Sequence, residues 1–156
     1  MMFDATDRAA LADLVHRYAA GVDDREFDFV ATLFTEDAKL TLPDPPKSLE
    51  PVRHHRGHAA ISEALAVVAA TIRTQHAITG EVYDAGPRPG TARGRIACVA
   101  HHWIQHEDQI RDVAWYLRYD DEYQRIDAEW RISSRALTID AIETRPVRQV
   151  RPGRSG

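Results

Sequence analysis

The stretch TARGRIACVAHHWIQHEDQIRDVAWYLRYDDEYQRIDAEWRISSRALTIDA, residues 91–141, decides the fold class. It divides into predicted strands at 91–106, 110–125 and 129–141, in which apolar and polar residues alternate. The separating turns, 107–109 and 126–128, are long enough to join antiparallel strands but too short for the crossover that parallel strands need. Residues 73–84 form a further predicted strand, ended by the Asp84-Ala85-Gly86-Pro87 turn. Together these runs indicate an antiparallel meander.

Apolar residues at helical spacing predict three helices ahead of these strands. The first covers 7–22, with Thr6 or Asp7 as its cap and Gly21 near a fraying end. The second covers 27–34, and the third begins at Gly57 and runs through Val68. Because the helices come first and most of the sheet follows, the layout is α+β. We expect a curved, mostly antiparallel sheet whose three N-terminal helices form a cone-shaped pocket.

Residues 39–42 form a short predicted strand that Pro43 ends. The following segment, PDPPKSLEPVRHHR at 43–56, carries four prolines and is therefore predicted to be irregular. A loop of this length in a compact domain is often functional, so it is a candidate lid over a binding site.

Length and composition indicate one domain over residues 1–143, followed by a basic, flexible tail over 144–156. The net charge of −4 gives no electrostatic reason to expect nucleic acid as a partner. No stretch is long and apolar enough to cross a membrane. One cysteine, Cys98, and a start without the basic region of a signal peptide predict a cytoplasmic location.

Several polar residues are predicted to face the cavity between helices and sheet. Tyr18 lies on the apolar stripe of the first helix, and Asp23 follows at its end, where it either faces inward or caps the next turn. His76 alternates with Ile78 and so shares the apolar face of its strand. A histidine there is more often a packed core residue than a catalyst, unless a carboxylate holds its other nitrogen.

The later strands add further candidates. His102 is predicted to point inward, whereas His101 and His106 are weaker candidates. Three histidines in and just after the proline-rich segment match no strong zinc-binding spacing, so no metal is expected; they are His54, His55 and His58. Inward residues of the last two strands either line a pocket for a planar substrate or pack in the core; they are Trp115, Tyr119, Asp121 and Arg135.

Known nucleotide and nucleophile motifs are missing from the sequence. It contains no glycine-rich dinucleotide fingerprint, P-loop, nucleophile-elbow serine or H-E-x-x-H pair. This argues against nucleotide, phosphoryl-transfer and serine acyl-transfer chemistry.

Several short segments carry a family resemblance through their order and spacing. They are residues 17–23, 27–28 and 33–38, Thr71-Ile72-Arg73-Thr74-Gln75-His76, Tyr119-Asp120-Asp121 and Trp130-Arg131-Ile132. Together they resemble SnoaL-like, scytalone dehydratase-like domains of the nuclear-transport-factor-2-like superfamily, over roughly residues 5–140.

The resemblance implies a chemistry and its residues. In scytalone dehydratase and similar bile-acid dehydratases, an aspartate after the first helix orients a histidine that acts as general base. Asp23 and His76 match those positions, Tyr18 matches a tyrosine of the bile-acid enzymes, and His102 matches a second polar position. The implied activity is a cofactor-independent dehydratase or isomerase that removes a proton α to a carbonyl of a small hydrophobic cyclic compound.

The sequence also departs from scytalone dehydratase. Val22 and Leu42 occupy the positions of its two water-holding tyrosines, and Leu117 and Tyr119 fall near the positions of its serine and asparagine. The resemblance therefore implies a related reaction on a substrate other than scytalone.

Two other interpretations stay open on the sequence. Outward-facing Val99 and Trp103 suggest a partner for the sheet, most simply a second copy in a homodimer or homotrimer. One alternative is therefore a non-catalytic ligand-binding or dimerisation module, in which replacing His76 with Gln would leave ligand affinity nearly unchanged. The other is the small subunit of a ring-hydroxylating dioxygenase, which shares this fold and would co-purify with a large iron–sulfur subunit.

Overall fold

The computed structural model describes residues 2–153, which form three α-helices, one 3₁₀ helix and six strands. The helices are α1 (Ala5–Asp23), α2 (Phe27–Ala31) and α3 (His58–Leu65), and the 3₁₀ helix (Ala66–Ala70) follows α3. The strands are β1 (Phe34–Asp44), β2 (Ser48–Arg56), β3 (Arg73–Ala85), β4 (Thr91–His106), β5 (Gln109–Ile126) and β6 (Glu129–Val147).

The strands form one open sheet in the order β2-β1-β6-β5-β4-β3. β3 to β6 are a continuous antiparallel meander, as the short turns predict. β1 and β2 also pair antiparallel. β1 runs parallel to β6, which makes the sheet mixed. The α+β class is confirmed, while the cone shape of the pocket stays a prediction.

The segment predicted as an irregular lid is in fact largely a strand. β2 pairs antiparallel with β1, so that Leu40 lies opposite His55 and Leu42 opposite Arg53. Two of the prolines, Pro45 and Pro46, lie in the turn between the strands, where their missing N–H groups break no ladder. Pro51 lies on β2 itself, which is tolerated because β2 is an edge strand.

The other differences concern element boundaries. Asp4 caps α1, in a capping box with Asp7, instead of Thr6 or Asp7 doing so. Gly21 lies inside α1 and is buried, because the second helix packs against it. α2 ends at Ala31, and Phe34 starts β1 and is buried in the sheet.

The last strand is longer than predicted. β6 was expected to end at residue 141 but runs to Val147, because residues 142–147 pair with residues 110–115 of β5. The expected domain boundary at 143/144 therefore falls inside a strand. Residues 154–156 of the predicted tail lie outside the described residues.

α1 lies against the sheet and sets the position of its own last residue. Its apolar face shares one core with residues such as Ile96, Leu117 and Ile139 of three different strands. This packing brings Asp23 to the beginning of β3. Within residues 2–153, no helix combines the length and the apolar character that crossing a membrane requires.

Candidate active site

The Asp23 carboxylate holds the beginning of β3. Its Oδ1 accepts hydrogen bonds from Thr74 Oγ1 at 2.9 Å and from His76 Nδ1 at 2.7 Å, and its Oδ2 accepts the backbone N–H of His76 at 2.9 Å. The side chains of His76 and Asp23 are 8% and 19% exposed. Asp23 therefore does not cap the turn into α2; it bonds across to the sheet.

These bonds fix the tautomer of His76. Since all three partners donate to Asp23, the carboxylate is the acceptor and His76 Nδ1 carries the proton. In the neutral ring, Nε2 then keeps its lone pair and can accept a proton. The negative charge of the Asp23 carboxylate also stabilises the imidazolium that would result. The pair is therefore equipped for general base catalysis.

His76 faces a cavity of about 480 Å³ between the helices and the sheet. Most of its wall is apolar, with contributions from α1, the β1–β2 hairpin, the segment after α3 and the middle of the sheet. The lining residues are Tyr18, Val22, Leu42, Pro43, Asp44, Pro45, Arg53, His55, Ala64, Leu65, Val67, Val68, Thr71, His76, Ala100, His102, Ile104, Val113, Trp115, Leu117, Tyr119 and Leu137. The volume and lining suit a small, mostly apolar molecule.

A second imidazole, His102, lines the same cavity. Its Nδ1 donates to the Val113 carbonyl oxygen at 2.8 Å, because a carbonyl can only accept. Its ring lies 4.7 Å from that of Trp115 and 6.2 Å from that of His76, measured between centroids. Burial lowers the pKa of His102, so the ring is neutral near pH 7 and its Nε2 is an acceptor.

Tyr18 and Tyr119 form an aromatic part of the wall, with ring centroids 5.8 Å apart. Burial raises the pKa of each phenol, so both stay protonated and able to donate a hydrogen bond. The Arg135 guanidinium lies 4.2 Å from the Tyr18 ring and 3.9 Å from the Tyr119 ring, which is the geometry of a cation–π contact.

Arg135 is itself held by Asp121 behind these rings. Arg135 donates from Nε and Nη2 to the two carboxylate oxygens at 2.8 and 2.7 Å, and Tyr123 donates to the same carboxylate at 2.5 Å. Both side chains of the ion pair are 0% exposed, and Arg135 Nη1 has no hydrogen-bond partner among the residues that the structure describes. Neither Asp121 nor Arg135 lines the cavity.

Six of the eight residues predicted for the site therefore meet around one cavity. Five of them line it, namely Tyr18, His76, His102, Trp115 and Tyr119, and Asp23 lies directly behind His76. Asp121 and Arg135 share the inward face of their strands but pack beneath the two tyrosines. The alternation of residues gives the face of a strand and not the depth at which a side chain ends.

Two groups that hold site residues in place were not predicted from the sequence. Thr74 bonds to Asp23, and its position two residues before His76 on the same strand face was the available signal. The Val113 carbonyl that sets the His102 tautomer carries no signal in the sequence. On the other face of the sheet, His101 pairs with Asp112 at 2.7 Å and stacks on Trp103.

The three histidines in and just after the segment predicted as a loop, His54, His55 and His58, make different contacts. His54 Nδ1 lies 3.2 Å from Thr41 Oγ1, and His58 Nε2 lies 2.9 Å from the Phe34 carbonyl oxygen. His55 lines the cavity. Within residues 2–153, no three histidine, cysteine, aspartate or glutamate side chains are grouped closely enough to hold a metal ion.

Comparison with known proteins connects this geometry to a family. The model of the SnoaL-like domain matches residues 4–136 of the chain. No curated protein matches the sequence.

Solved structures share the fold over nearly the whole chain. A protein from Kribbella flavida is 28% identical, with a TM-score of 0.74 over 90% of this chain and 95% of that one. A candidate scytalone dehydratase from Novosphingobium aromaticivorans is 20% identical, with a TM-score of 0.73 over 95% and 91%. A hexachlorocyclohexane dehydrochlorinase from Novosphingobium barchaimii is 19% identical, with a TM-score of 0.72 over 93% and 92%. The last two likenesses show the fold alone.

Proposed function

This chain belongs to the SnoaL-like domain family, and on that premise we propose that it is a cofactor-independent lyase or isomerase with His76 as its general base. The observation that carries the proposal is the 2.7 Å bond from His76 Nδ1 to Asp23 beside an apolar cavity of about 480 Å³. The substrate is a small cyclic compound with a carbonyl group, and the reaction begins with loss of a proton α to that carbonyl.

In this step, Nε2 of His76 takes the proton and Asp23 stabilises the resulting imidazolium. Asp23 also prevents the ring from turning, because its two oxygens bind both the backbone and the side chain of His76. General base catalysis by a positioned group of this kind typically contributes a factor of about 10²–10⁴.

The negative charge that develops on the carbonyl oxygen needs a hydrogen-bond donor. Tyr18 is the candidate, since its phenol is protonated and lines the cavity. His102 is unsuited to this role, because its only N–H is bound to the Val113 carbonyl. Removing a donor to such an oxyanion typically costs roughly 3–4 kcal/mol.

His102 instead suits a hydroxyl group of the substrate. Its Nε2 accepts a hydrogen bond and so orients a substrate that carries both a carbonyl and a hydroxyl group. In a dehydration, the imidazolium of His76 returns its proton to the departing hydroxyl as the C–O bond breaks. The products are an unsaturated carbonyl compound and water. In an isomerisation, the same proton goes to another carbon.

The aromatic residues would hold the substrate ring. Trp115 and Tyr119 both line the cavity and offer faces on which a planar ring packs. Asp121 and Arg135 would not contact the substrate. Their ion pair would instead support the rings of Tyr18 and Tyr119 from behind.

The experiment that tests this function is a screen of cyclic hydroxy-ketones in D₂O, followed by NMR for α-deuterium exchange and loss of the hydroxyl group. For any compound that reacts, we expect His76→Ala to lower kcat/KM by about 10²-fold or more. His106→Ala is the matched control, because His106 is an exposed histidine at the end of the neighbouring strand β4. Full turnover by a folded His76→Ala variant would exclude His76 as the base.

A further inference from the structure

The strand that carries His76 is an edge strand. β3 is the last strand of the sheet, so β4 is its only paired strand in the described part of the chain. His76 is the fourth residue of β3, close to its beginning. Strand ends at the edge of a sheet open more easily than central strands, because few contacts hold them. A catalytic pair at this place needs additional support.

Residues from the C-terminal segment lie against this beginning of β3. The Gly153 N–H donates to the Ile72 carbonyl oxygen at 2.8 Å. The Arg73 side chain donates from Nε to the Arg151 carbonyl at 2.7 Å and from Nη2 to the Pro152 carbonyl at 2.8 Å. The approach is close, since a Cβ atom at position 153 would come within 3.0 Å of the Ile72 oxygen.

The turn after α1 holds the same backbone from another direction. Arg25 Nη2 donates to the carbonyl oxygens of Thr71 at 2.6 Å and Ile72 at 3.1 Å. Arg25 is in the left-handed region, with φ 60°, and lies two residues after Asp23. The turn that follows Asp23 and the C-terminal segment therefore meet at one carbonyl group, that of Ile72.

These contacts enclose the outer side of Asp23. A polar cleft of about 340 Å³ is lined by Asp23, Asp24, Arg73, Arg151, Pro152 and Gly153. Two arginines and two aspartates therefore line the same cleft, and opposite charges that lie near one another attract. The segment lies beyond residue 136, where the match to the SnoaL-like domain ends.

We propose that residues 151–153 form a clamp on the start of β3 that positions Asp23 against His76. The clamp holds Ile72 and Arg73, and the strand then presents Thr74 and His76, the two residues that bind Asp23. A shift of about 1 Å in a catalytic group can cost 10²-fold in rate, so support at this distance matters. The link to catalysis rests on the proposed function, whereas the effect on the Asp23–His76 contact does not.

Amide hydrogen exchange tests the clamp without a substrate. The His76 N–H donates to Asp23, so its exchange rate reports that contact directly. In a chain that ends after Val147, we expect the His76 amide to exchange at least tenfold faster, with Leu117 of central β5 changed less than twofold. Arg73→Gln in the full chain should reproduce the effect, because it removes the donors to Arg151 and Pro152. Arg148→Gln is the control for loss of charge from the tail.

Two results would overturn the clamp. One is an unchanged His76 exchange rate in both variants. The other is equal acceleration at His76 and Leu117, which would make the segment a general stabiliser. Either result leaves the general-base role of His76 standing, and failure of that role leaves the exchange result standing.

Kinetics on an identified substrate then separate positioning from general stability. We expect the chain ending after Val147 to have about tenfold lower kcat with KM within twofold of the full chain. In the Asp23→Asn background, the same truncation should cause no further loss, because the contact that the clamp positions is already altered. An equal loss in both backgrounds would contradict positioning through Asp23.

Discussion

Two imidazoles face the same cavity with their rings 6.2 Å apart, and their Nδ1 atoms donate to different acceptors. His76 donates to a carboxylate, which stabilises the protonated ring, and His102 donates to a backbone carbonyl, which does so less. At the scale of the residue, the group that accepts the Nδ1 proton therefore distinguishes the two histidines. His76 is the proposed base, and His102 is proposed to accept a hydrogen bond from the substrate.

His102 should also make stability depend on pH. Burial lowers the pKa of His102 in the folded protein below the ordinary value of 6.5. At pH values between the lowered pKa and 6.5, the unfolded chain therefore binds more protons than the folded protein. The free energy of unfolding contributed by this group therefore falls as pH drops below about 6.5 towards the lowered folded value. Urea unfolding from about pH 7 to about pH 5 should show a smaller loss for His102→Gln than for the unchanged protein.

His106→Gln serves as the comparison, since it removes an exposed histidine from the same strand. Identical pH dependence of the His102→Gln and unchanged proteins would show that burial does not hold His102 neutral.

At the scale of the element, close packing at the α1–α2 corner decides where the chain turns. A Cβ atom on Gly21 would lie 2.5 Å from Cγ2 of Val30, which is fully buried on α2. Only a residue without a side chain allows this approach. The turn that follows puts Asp23 at the sheet.

Gly21→Ala should therefore destabilise the protein, although alanine favours the helix more than glycine does. Overpacking typically costs about 1–3 kcal/mol, and the gain in helix propensity offsets about 1 kcal/mol of it. We expect a net loss of up to about 2 kcal/mol in the free energy of unfolding, measured by urea denaturation. At Gly80 the nearest atom to an added Cβ is 3.6 Å away, so Gly80→Ala should change little. Equal effects at the two positions would refute the packing explanation.

At the scale of the whole molecule, the Asp121–Arg135 pair joins elements that are distant in the sequence. Arg135 lies on β6 and Asp121 on β5, and the guanidinium packs on Tyr18 of α1. A pair that is 0% exposed is costly to desolvate, so its two members depend on each other.

Breaking this pair should cost much more than replacing it. Asp121→Asn leaves the buried Arg135 charge uncompensated, and we expect a loss of about 3–5 kcal/mol in the free energy of unfolding. The double change Asp121→Leu with Arg135→Met removes both charges and should recover most of that loss. Calorimetric and urea unfolding of the single and double variants measure both effects. A double variant as unstable as Asp121→Asn would show that the pair itself stabilises the fold.

The sheet face opposite the cavity bears on assembly. Val99 and Trp103 alternate with the cavity residues Ala100, His102 and Ile104, and so lie on that outer face. The homodimer or homotrimer predicted from these residues, and the cytoplasmic location, stay predictions.

Local patterns in the sequence determined the α+β layout. Alternation and short turns are properties of neighbouring residues, and β4 was predicted at 91–106 with the bounds that it has in the structure. The inward positions of Tyr18, His76 and His102 came from the same periodicities, and the pairing of Asp23 with His76 came from the family resemblance.

The tertiary structure alone decided what depends on contacts between distant residues. β2 forms because β1 offers it a partner, against the local preference of a proline-rich segment. Asp121 and Arg135 end beneath the cavity wall because each neutralises the other there. The acceptor of His102 is a backbone carbonyl eleven residues away, and the start of β3 is held from residues 151–153. Such contacts form between groups that the fold brings together, so patterns among neighbouring residues do not predict them.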